Sequence, residues 1–465
     1  MPVETTHLLY EAHERRARRV RDAVGGTDAV KGKGMMYLPH PQEEYDTLSG
    51  DELKIADARY AAYIQRAVWL GVTKRTHDGL LGAAFLRDPE VILPNAIEYM
   101  QEDADGAGMS LTQFAKMAVS GLLQSGRHGV LVDYPEADDG LTREQTRGLR
   151  ATLRSYTSEN IINWRREGEN LTLVVLREPW ERHIDEFQVE ADWQYRVLRL
   201  EDGRYTQEVY REGRPAGDKV MPRMASGAAW PVIPFQFFGA MNNDELPDSP
   251  LLLDIADQNF AMYRNSATVE EAAHICGQPI VHVDIGETTT EAWRELNPNG
   301  ISIGARRGVQ TQGGRLEMVQ AEERNLPLKL MEERRADMVA IGARLIERRA
   351  SNETAEAVRA RSGSETANLS TVSDNTSDGI SNCLEWCLGF MGGAGEITFR
   401  LSQQFYDEKA DPQEIIARIQ ELDRGLIAKS DYRTWRRRTG GIDADRDDEE
   451  IDAEVQAGGT EIGVM

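Results

Sequence analysis

Cysteine is scarce in this chain of 465 residues: Cys276, Cys383 and Cys387 cannot build a disulfide framework, so a reducing, intracellular origin is expected. No stretch approaches the ~20 apolar residues of a membrane span, which predicts a soluble protein with no membrane partner. Met1 to Tyr10 lacks a charged stretch followed by an apolar core, and secretion is not expected. Positive charge is short as well, with 54 basic against 78 acidic residues and a formal net charge of -24. Tight phosphate binding is driven by basic residues that release counterions, so a protein gripping nucleic acid with its whole surface is disfavoured. An acidic wall around a duplex would keep affinity low and let it slide.

The familiar catalytic signatures are missing too. The glycine and lysine cluster from Gly25 to Gly34 has the wrong spacing for a phosphate loop and no following Ser or Thr, which argues against an ATP-driven motor. No dinucleotide fingerprint, HExxH site or Gly-x-Ser-x-Gly elbow occurs. No catalytic residue, cofactor or resident metal is therefore expected. Cys383 and Cys387, four apart on an expected helix, could be half of a metal site but lack a second ligand pair, and the reading as small buried residues beside Trp386 is preferred. His274 and Cys276 are too few for a closed zinc site. Asp443, Asp445, Asp447 and Glu454 match positions of a calcium loop, but Asp448 stands where the sharp turn needs glycine.

What is present is a succession of periodic segments of α+β character. A helix carrying five arginines is expected over Leu8 to Val24, a flexible glycine-rich loop over Gly25 to Gly34, and a helix from Asp51 to Leu70 that buries Leu53, Ile55, Tyr60, Tyr63, Ile64, Ala67 and Val68. Ser110 and Gln113 have capping-box spacing ahead of a helix ending near Gly126, and Gly129 to Pro135 reads as a buried strand. Residues 155–240 read as mainly antiparallel β, with Asp202-Gly203 suited to a tight hairpin. Ser249-Pro250 opens a long helix from Leu251 to about His274.

A small α/β segment follows: a strand Pro279 to Asp284, a capped helix from Thr288 with Glu291, and strands at Ile301 to Gly304 and Leu316 to Val319. A second long helix is expected from Pro327 to Arg349 and a third from Glu353 to Leu388, interrupted at Gly363 and Gly379. Glu396 to Phe405 reads as a strand, Asp411-Pro412 opens a helix to about Ile427, and another covers Ser430 to Arg438. The tail Asp443 to Glu454 is acidic enough to expect solvated disorder. The basic clusters are Arg15 to Arg21, Arg306-Arg307, Arg348-Arg349 and Arg436 to Arg438 beside Trp435; each reads either as a solvated or ion-paired face or as a phosphate contact.

The stretch from Ser249 through Asn259 and Tyr263-Arg264-Asn265-Ser266-Ala267 resembles a portal-like family of tailed bacteriophages, often catalogued as a domain of unknown function. Further likeness lies in Tyr60 to Arg66, Arg75 to Gly82, Ile341 to Leu345, Glu365-Thr366-Ala367 and Glu353-Thr354-Ala355. The resemblance implies a portal-protein fold: a mixed α/β wing at 1–245, stem helices at 246–278 and 326–350, and a small α/β clip insertion at 279–325. A tunnel loop with its following helix would occupy 351–395, wing return and helical crown 396–440, and an acidic tail 441–465.

It further implies a dodecameric ring at the head vertex of the virion, made in the host cytoplasm. Double-stranded DNA would pass through during packaging and ejection without being read for sequence. Terminase large subunit, a head-tail adaptor, and major capsid or scaffolding protein are the implied partners. Arg348 and Arg349 are the expected lumen contacts to DNA, and Arg306 and Arg307 the expected clip docking surface. Competing readings are another head-tail adaptor or minor capsid protein, and a nuclease drawing a metal site from Asp133, Asp254 and Asp257.

Overall fold

A computed structural model describes residues 2–42, 44–135, 149–276, 280–298, 313–319, 326–341, 355–403, 405, 412–438, 441–442 and 446–458. The chain opens with four helices, α1 (Tyr10–Gly25), α2 (Thr27–Gly32), α3 (Gly50–Arg66) and α4 (Val72–Ala84). The short strand β1 (Glu90–Ile92) and helix α5 (Leu111–Ser125) follow. The Ser110 hydroxyl accepts from the Gln113 amide while the Gln113 side chain accepts from the Ser110 amide, so the expected capping box satisfies two helix-end donors at once. Gly126, at φ 71°, closes the helix in the left-handed region, which an L side chain enters at a cost.

Strands β2 (Arg127–Asp133), β3 (Thr152–Thr157) and β9 (Phe235–Gly239) form an antiparallel sheet in the order β3-β2-β9. A second sheet is a five-stranded meander of β4 (Ile161–Glu167), β5 (Asn170–His183), β6 (Val189–Glu201), β7 (Arg204–Arg211) and β8 (Arg214–Pro215). The turn between β6 and β7 sits on Asp202 and Gly203 at φ 50° and 70°, the paired positive angles a two-residue hairpin demands.

Beyond the sheets come α6 (Leu253–Cys276), the antiparallel pair β10 (Ile280–Val283) and β11 (Leu316–Val319) with α7 (Thr290–Leu296) between them, and then α8 (Leu326–Ile341) and α9 (Ala355–Met391). Strand β12 (Thr398–Arg400) returns to pair with β1, and α10 (Pro412–Asp423), α11 (Lys429–Arg438) and α12 (Asp448–Gly458) end the described chain.

The main core lies where α5, the three-stranded sheet and α9 meet. Phe114, Leu122, Val130, Leu131 and Phe238 are sealed there with Leu384 and Phe390 of α9. Each large apolar side chain so buried contributes about 1.5–3 kcal/mol. Tyr134 stacks on Phe390 at 5.4 Å, and Trp230 meets the same ring at 4.4 Å.

Several expectations are corrected. The Gly25 to Gly34 segment is not a loop: α2 and a 3₁₀ turn at Gly34–Met36 fill it, because Val30 is buried and Lys31 donates to the Gln65 carbonyl at 3.0 Å. In α3 the buried side chains are Ala56, Tyr60 and Tyr63, whereas Ile55 is exposed, and Val68 is exposed beyond the helix end. Helix α9 runs through Gly363 and Gly379 unbroken; the ring of Phe238 lies where a Gly379 Cβ would be, so this glycine serves close packing. Helix α6 begins two residues late, with the Leu253 amide on the Pro250 carbonyl, and Thr289, not Thr288, caps α7 through the Ala292 amide. The strand expected over Glu396 to Phe405 shrinks to β12.

The acidic tail also departs from expectation, since residues from Asp448 form a helix. Asp448, Glu449 and Glu450 stand in its first turn, where the helix dipole favours negative charge, and Arg433 and Arg437 of α11 pair with Asp448 and Asp452. That helix occupies the second half of the supposed calcium loop, and Glu454 is engaged by Arg446. Asp443 and Asp445 lie outside the described residues, as do the strand expected at Ile301 to Gly304 and the end of the second long helix.

Candidate functional site

The root of α6 is packed into the helical part of the body. Leu252, Ile255, Ala256, Phe260, Tyr263 and Ala267 recur at helical spacing and are all buried, forming one stripe against α1, α3 and α4. Tyr37 stacks on Phe260 at 4.1 Å, while Trp69 meets Phe260 at 5.1 Å and Tyr263 at 5.8 Å. Two polar residues interrupt the stripe and act as clamps. Asn259 Oδ1 accepts from both the amide and the hydroxyl of Thr73, at 3.2 and 3.1 Å, so α6 caps the N-terminus of α4. The Ser266 hydroxyl accepts from the Val68 amide at 3.1 Å and faces the Val68 carbonyl at 2.9 Å. Arg66 then pairs with Glu271.

Past Ala267 the burial stops. Thr268 and Ala272 to Ile275 are exposed, so the last turns of α6 leave the body. Helix α8 packs along α6, with Arg334 Nη1 donating to Gln258 Oε1 at 2.8 Å and Met338 buried. Burial, together with the nearby charge of Arg334, lowers the Arg264 guanidinium, and Asp257 opposes this. Between the two helices the chain makes the β10–β11 pair and α7. The loop before α6 is equally fixed: Asn243 Nδ2 donates to the Asn375 carbonyl of α9 at 2.7 Å, and Asn375 Nδ2 donates to the Gly239 carbonyl at 2.8 Å.

A second polar centre holds the five-stranded sheet. Glu178 accepts from Tyr156, from Gln194 at 2.7 Å and from Arg196 Nε at 2.7 Å. Burial pushes its carboxyl up, but Arg196 and the hydrogen bonds outweigh burial and leave it below the usual carboxylate range. Arg127 is the opposite case: it is sandwiched between Trp164 at 3.9 Å and Phe237 at 4.7 Å, and its Nε and Nη2 have no hydrogen-bond partner. Burial brings it down to about 9, against the fields of Asp244, Glu245 and Asp248.

One constellation has the outline of a catalytic triad. His77 Nε2 is 2.9 Å from the Ser120 hydroxyl and Nδ1 is 3.0 Å from Asp78. Ser120 lies inside α5, where backbone amides are spent on the helix, and Gln124 Nε2 donates to its hydroxyl at 3.0 Å. An acyl-transfer site needs free donors aimed at the developing oxyanion. The group is instead a hydrogen-bonded bridge between α4 and α5.

Of the residues picked out in the sequence, Arg306, Arg307, Arg348 and Arg349 lie outside the described residues. In the first arginine cluster Arg19 pairs with Asp257 at 2.9 Å, and Arg21 with Glu14 and Glu159, while Arg15 and Arg16 are exposed. In the last, Arg437 pairs with Asp448. Cys383 and Cys387 are fully buried on α9, and burial drives both thiols up. Asp133 is held by Arg154 at 2.7 Å and Asp257 by Arg19, so these acids stand in separate ion pairs. Among the described residues no three potential ligands converge on a metal position, and no helix is long and apolar enough to cross a membrane. The clamps Asn259 and Ser266 were missed; their signal was two polar residues seven apart on an otherwise apolar face.

The family model that matches is described as Domain of unknown function (DUF4055) and covers residues 250–391, from the edge of α6 to the last residue of α9. No curated protein matches the sequence. Three solved structures are similar at 14% identity. One comes from the virion of a native gene transfer agent particle, with a TM-score of 0.41, covering 81% of this chain and 92% of that one. Another, from the neck of an empty particle computed with C6 symmetry, has a TM-score of 0.39 and covers 79% and 89%. A third, from the neck of a native particle computed with C12 symmetry, has a TM-score of 0.37 and covers 78% and 89%.

Proposed function

We propose that this chain is a portal protein of a tailed phage or phage-like particle, a structural subunit and not an enzyme, that assembles into a ring around a channel for double-stranded DNA. The observation that carries this reading is the helix pair α6 and α8, rooted in the body by the Asn259 and Ser266 clamps and bracketing a small α/β insertion. Helices set side by side around an axis make a wall, the insertion supplies a docking rim at its end, and the sheets offer broad lateral contacts. The exposed apolar residues Ile275 of α6 and Leu328 of α8 are what a stave flanked by identical staves would present. The sequence resemblance points the same way, and the matched family region coincides with these helices.

With about twelve copies the formal charge would approach roughly -290, so the lumen repels DNA along much of its length and passage stays loose. Terminase large subunit and a head-tail adaptor would dock at the insertion, and capsid or scaffolding protein at the outer body. Arg348 and Arg349 remain the proposed lumen contacts and Arg306 and Arg307 the proposed docking residues. The double variant Arg348→Ala/Arg349→Ala should then impair DNA retention more than assembly. Native mass spectrometry with negative-stain imaging tests the ring itself. Closed rings of about twelve subunits with a central hole are expected. A monomer or dimer at micromolar concentration, unchanged when scaffold is supplied, would overturn the reading in favour of another head-tail component.

A further inference from the structure

The hairpin of β5 and β6 is longer than the sheet that supports it. Strand β4 pairs with β5 only as far as Leu176, and β7 pairs with β6 only from Gln194 inward. Outward of these limits, from Pro179↔Trp193 to His183↔Val189, the two strands pair with each other alone, and the turn Ile184 to Gln188 adds to the projection. At ~3.4 Å per residue the arm reaches roughly 20 Å beyond the sheet. A two-stranded ribbon is marginal in water on its own. This one is braced at its root by the Glu178, Gln194 and Arg196 network, by Arg177 over Trp193 at 4.6 Å and by Arg211 over Trp180 at 4.8 Å.

Its tip is built to hold an apolar side chain in water. The Asp185 carboxylate accepts from the amides of Phe187 and Gln188 at 2.8 and 2.7 Å, fixing the turn, and Phe187 stands 89% exposed between exposed Ile184 and Val189. Around it Glu181, Glu186 and Glu190 are exposed, and Arg182 is engaged by Glu190 and Glu212. The tip is apolar at its centre and acidic at its rim.

The complementary surface lies at the start of α1. His7 stacks on Trp164 at 3.9 Å and its amide donates to the Ile162 carbonyl, which fixes the turn and leaves Leu8 91% exposed. Leu9 is exposed beside it, and Arg15 and Arg16 are exposed one to two turns along the same helix. This patch is apolar with a basic rim. It cannot meet the tip of its own chain: Leu8 sits near Ile162, the bulged residue next to the Ile161–Leu176 pair, and Phe187, at the level of Asp185 across the turn, is about nine residues farther out along the hairpin, roughly 30 Å away.

We infer that the β5–β6 arm of one copy docks its Phe187 tip on the Leu8 and Arg15–Arg16 patch of the next copy, a head-to-tail contact. The inference rests on the ring reading, since a contact between two different patches of one chain propagates from copy to copy and closes only if the rotation permits. Phe187 and Leu8 bury each other, while Glu181 and Glu186 face Arg15 and Arg16 and set the register of approach.

The test is covalent capture in the full chain with Cys276→Ser. In the Leu8→Cys/Phe187→Cys double variant, mild oxidation should give a ladder of linked subunits on a denaturing gel. A mixture of the two single variants should give dimers only, and each single variant alone none. Arg15→Glu/Arg16→Glu should weaken assembly at least tenfold, and adding Glu181→Arg/Glu186→Arg should restore it. Leu8, Arg15, Arg16, Glu181, Glu186 and Phe187 are exposed, and the circular dichroism spectrum serves as the folding control. Oligomers of wild-type mass without cross-links would overturn the arm contact and leave the ring standing. A wild-type chain that stays monomeric with scaffold supplied, together with no cross-links in the variant, would overturn both.

Discussion

His13 and His128 are buried as neutral imidazoles. Burial lowers both to about 4; for His13 the charges of Arg127, Arg21 and Arg16 push in the same direction. Neither is fully partnered, since His13 Nε2 and His128 Nδ1 have no hydrogen bond, although His128 Nε2 lies 2.8 Å from the Ser155 hydroxyl. An unfolded histidine binds its proton near pH 6.5, so between 6.5 and 4 the unfolded chain holds protons that the folded chain refuses. Stability is therefore complete above pH 6.5 and falls as pH drops through this window, by about 2 kcal/mol for each group at pH 5. His7, lowered by burial and by Arg127, adds in the same sense. Urea unfolding at pH 7, 6 and 5 should show this decline, and His128→Gln, which keeps a polar group within reach of Ser155, should flatten it. A wild-type free energy unchanged from pH 7 to 5 would mean that these rings are solvated in solution. Arg127 disfavours the charged forms of His13 and His7 and sits over the same Trp164 ring on which His7 stacks, so the cation and the first residues of the chain share one aromatic surface.

Between elements, the consequential bonds are the few that cross from α6 to the α3–α4 connection. Asn259→Ala would leave the Thr73 amide and hydroxyl buried without an acceptor, at a cost of about 1–3 kcal/mol, whereas removing the half-exposed Arg66 to Glu271 pair should cost under ~1 kcal/mol. Hydrogen exchange separates the cases: the first variant should speed exchange at residues 67–76, and equal protection in both would show that packing of Phe260 and Tyr263 alone fixes the joint. Much of this level was legible in the sequence. The box at Ser110 and Gln113, the turn at Asp202-Gly203 and the long helix after Ser249-Pro250 are local signals, and local signals survive into the fold. Helix α4 was not read because its buried face is Thr73, Thr76, His77 and Ala84, too polar and small to give an apolar period. Helix α12 was misread because its acids find Arg433 and Arg437 across a turn, a pairing that composition cannot display. The arm escaped for the converse reason: β5 and β6 look like any strands until the lengths of β4 and β7 show where support ends.

For the molecule as a whole, the balance of charge bounds the contact that the proposed channel would make with DNA. Among the described residues of the basic clusters, Arg18, Arg19, Arg21 and Arg437 hold carboxylates of the same chain, while Arg15 and Arg16 are exposed. A protein that neutralised six to ten phosphates would lose about 10³–10⁵ in affinity between 50 and 200 mM salt. A net charge of -24 per copy, with so many cations internally paired, predicts nothing of that kind. The assembled protein should bind a short labelled duplex no tighter than roughly 10 µM at 150 mM salt, with a log-log salt slope smaller in magnitude than about 2 and no preference among sequences. Fluorescence anisotropy across a salt series measures all three. Submicromolar binding with a steep slope would mean that basic groups converge on the duplex in the assembly, and a channel that lets DNA slide would then have to be abandoned in favour of one that grips it.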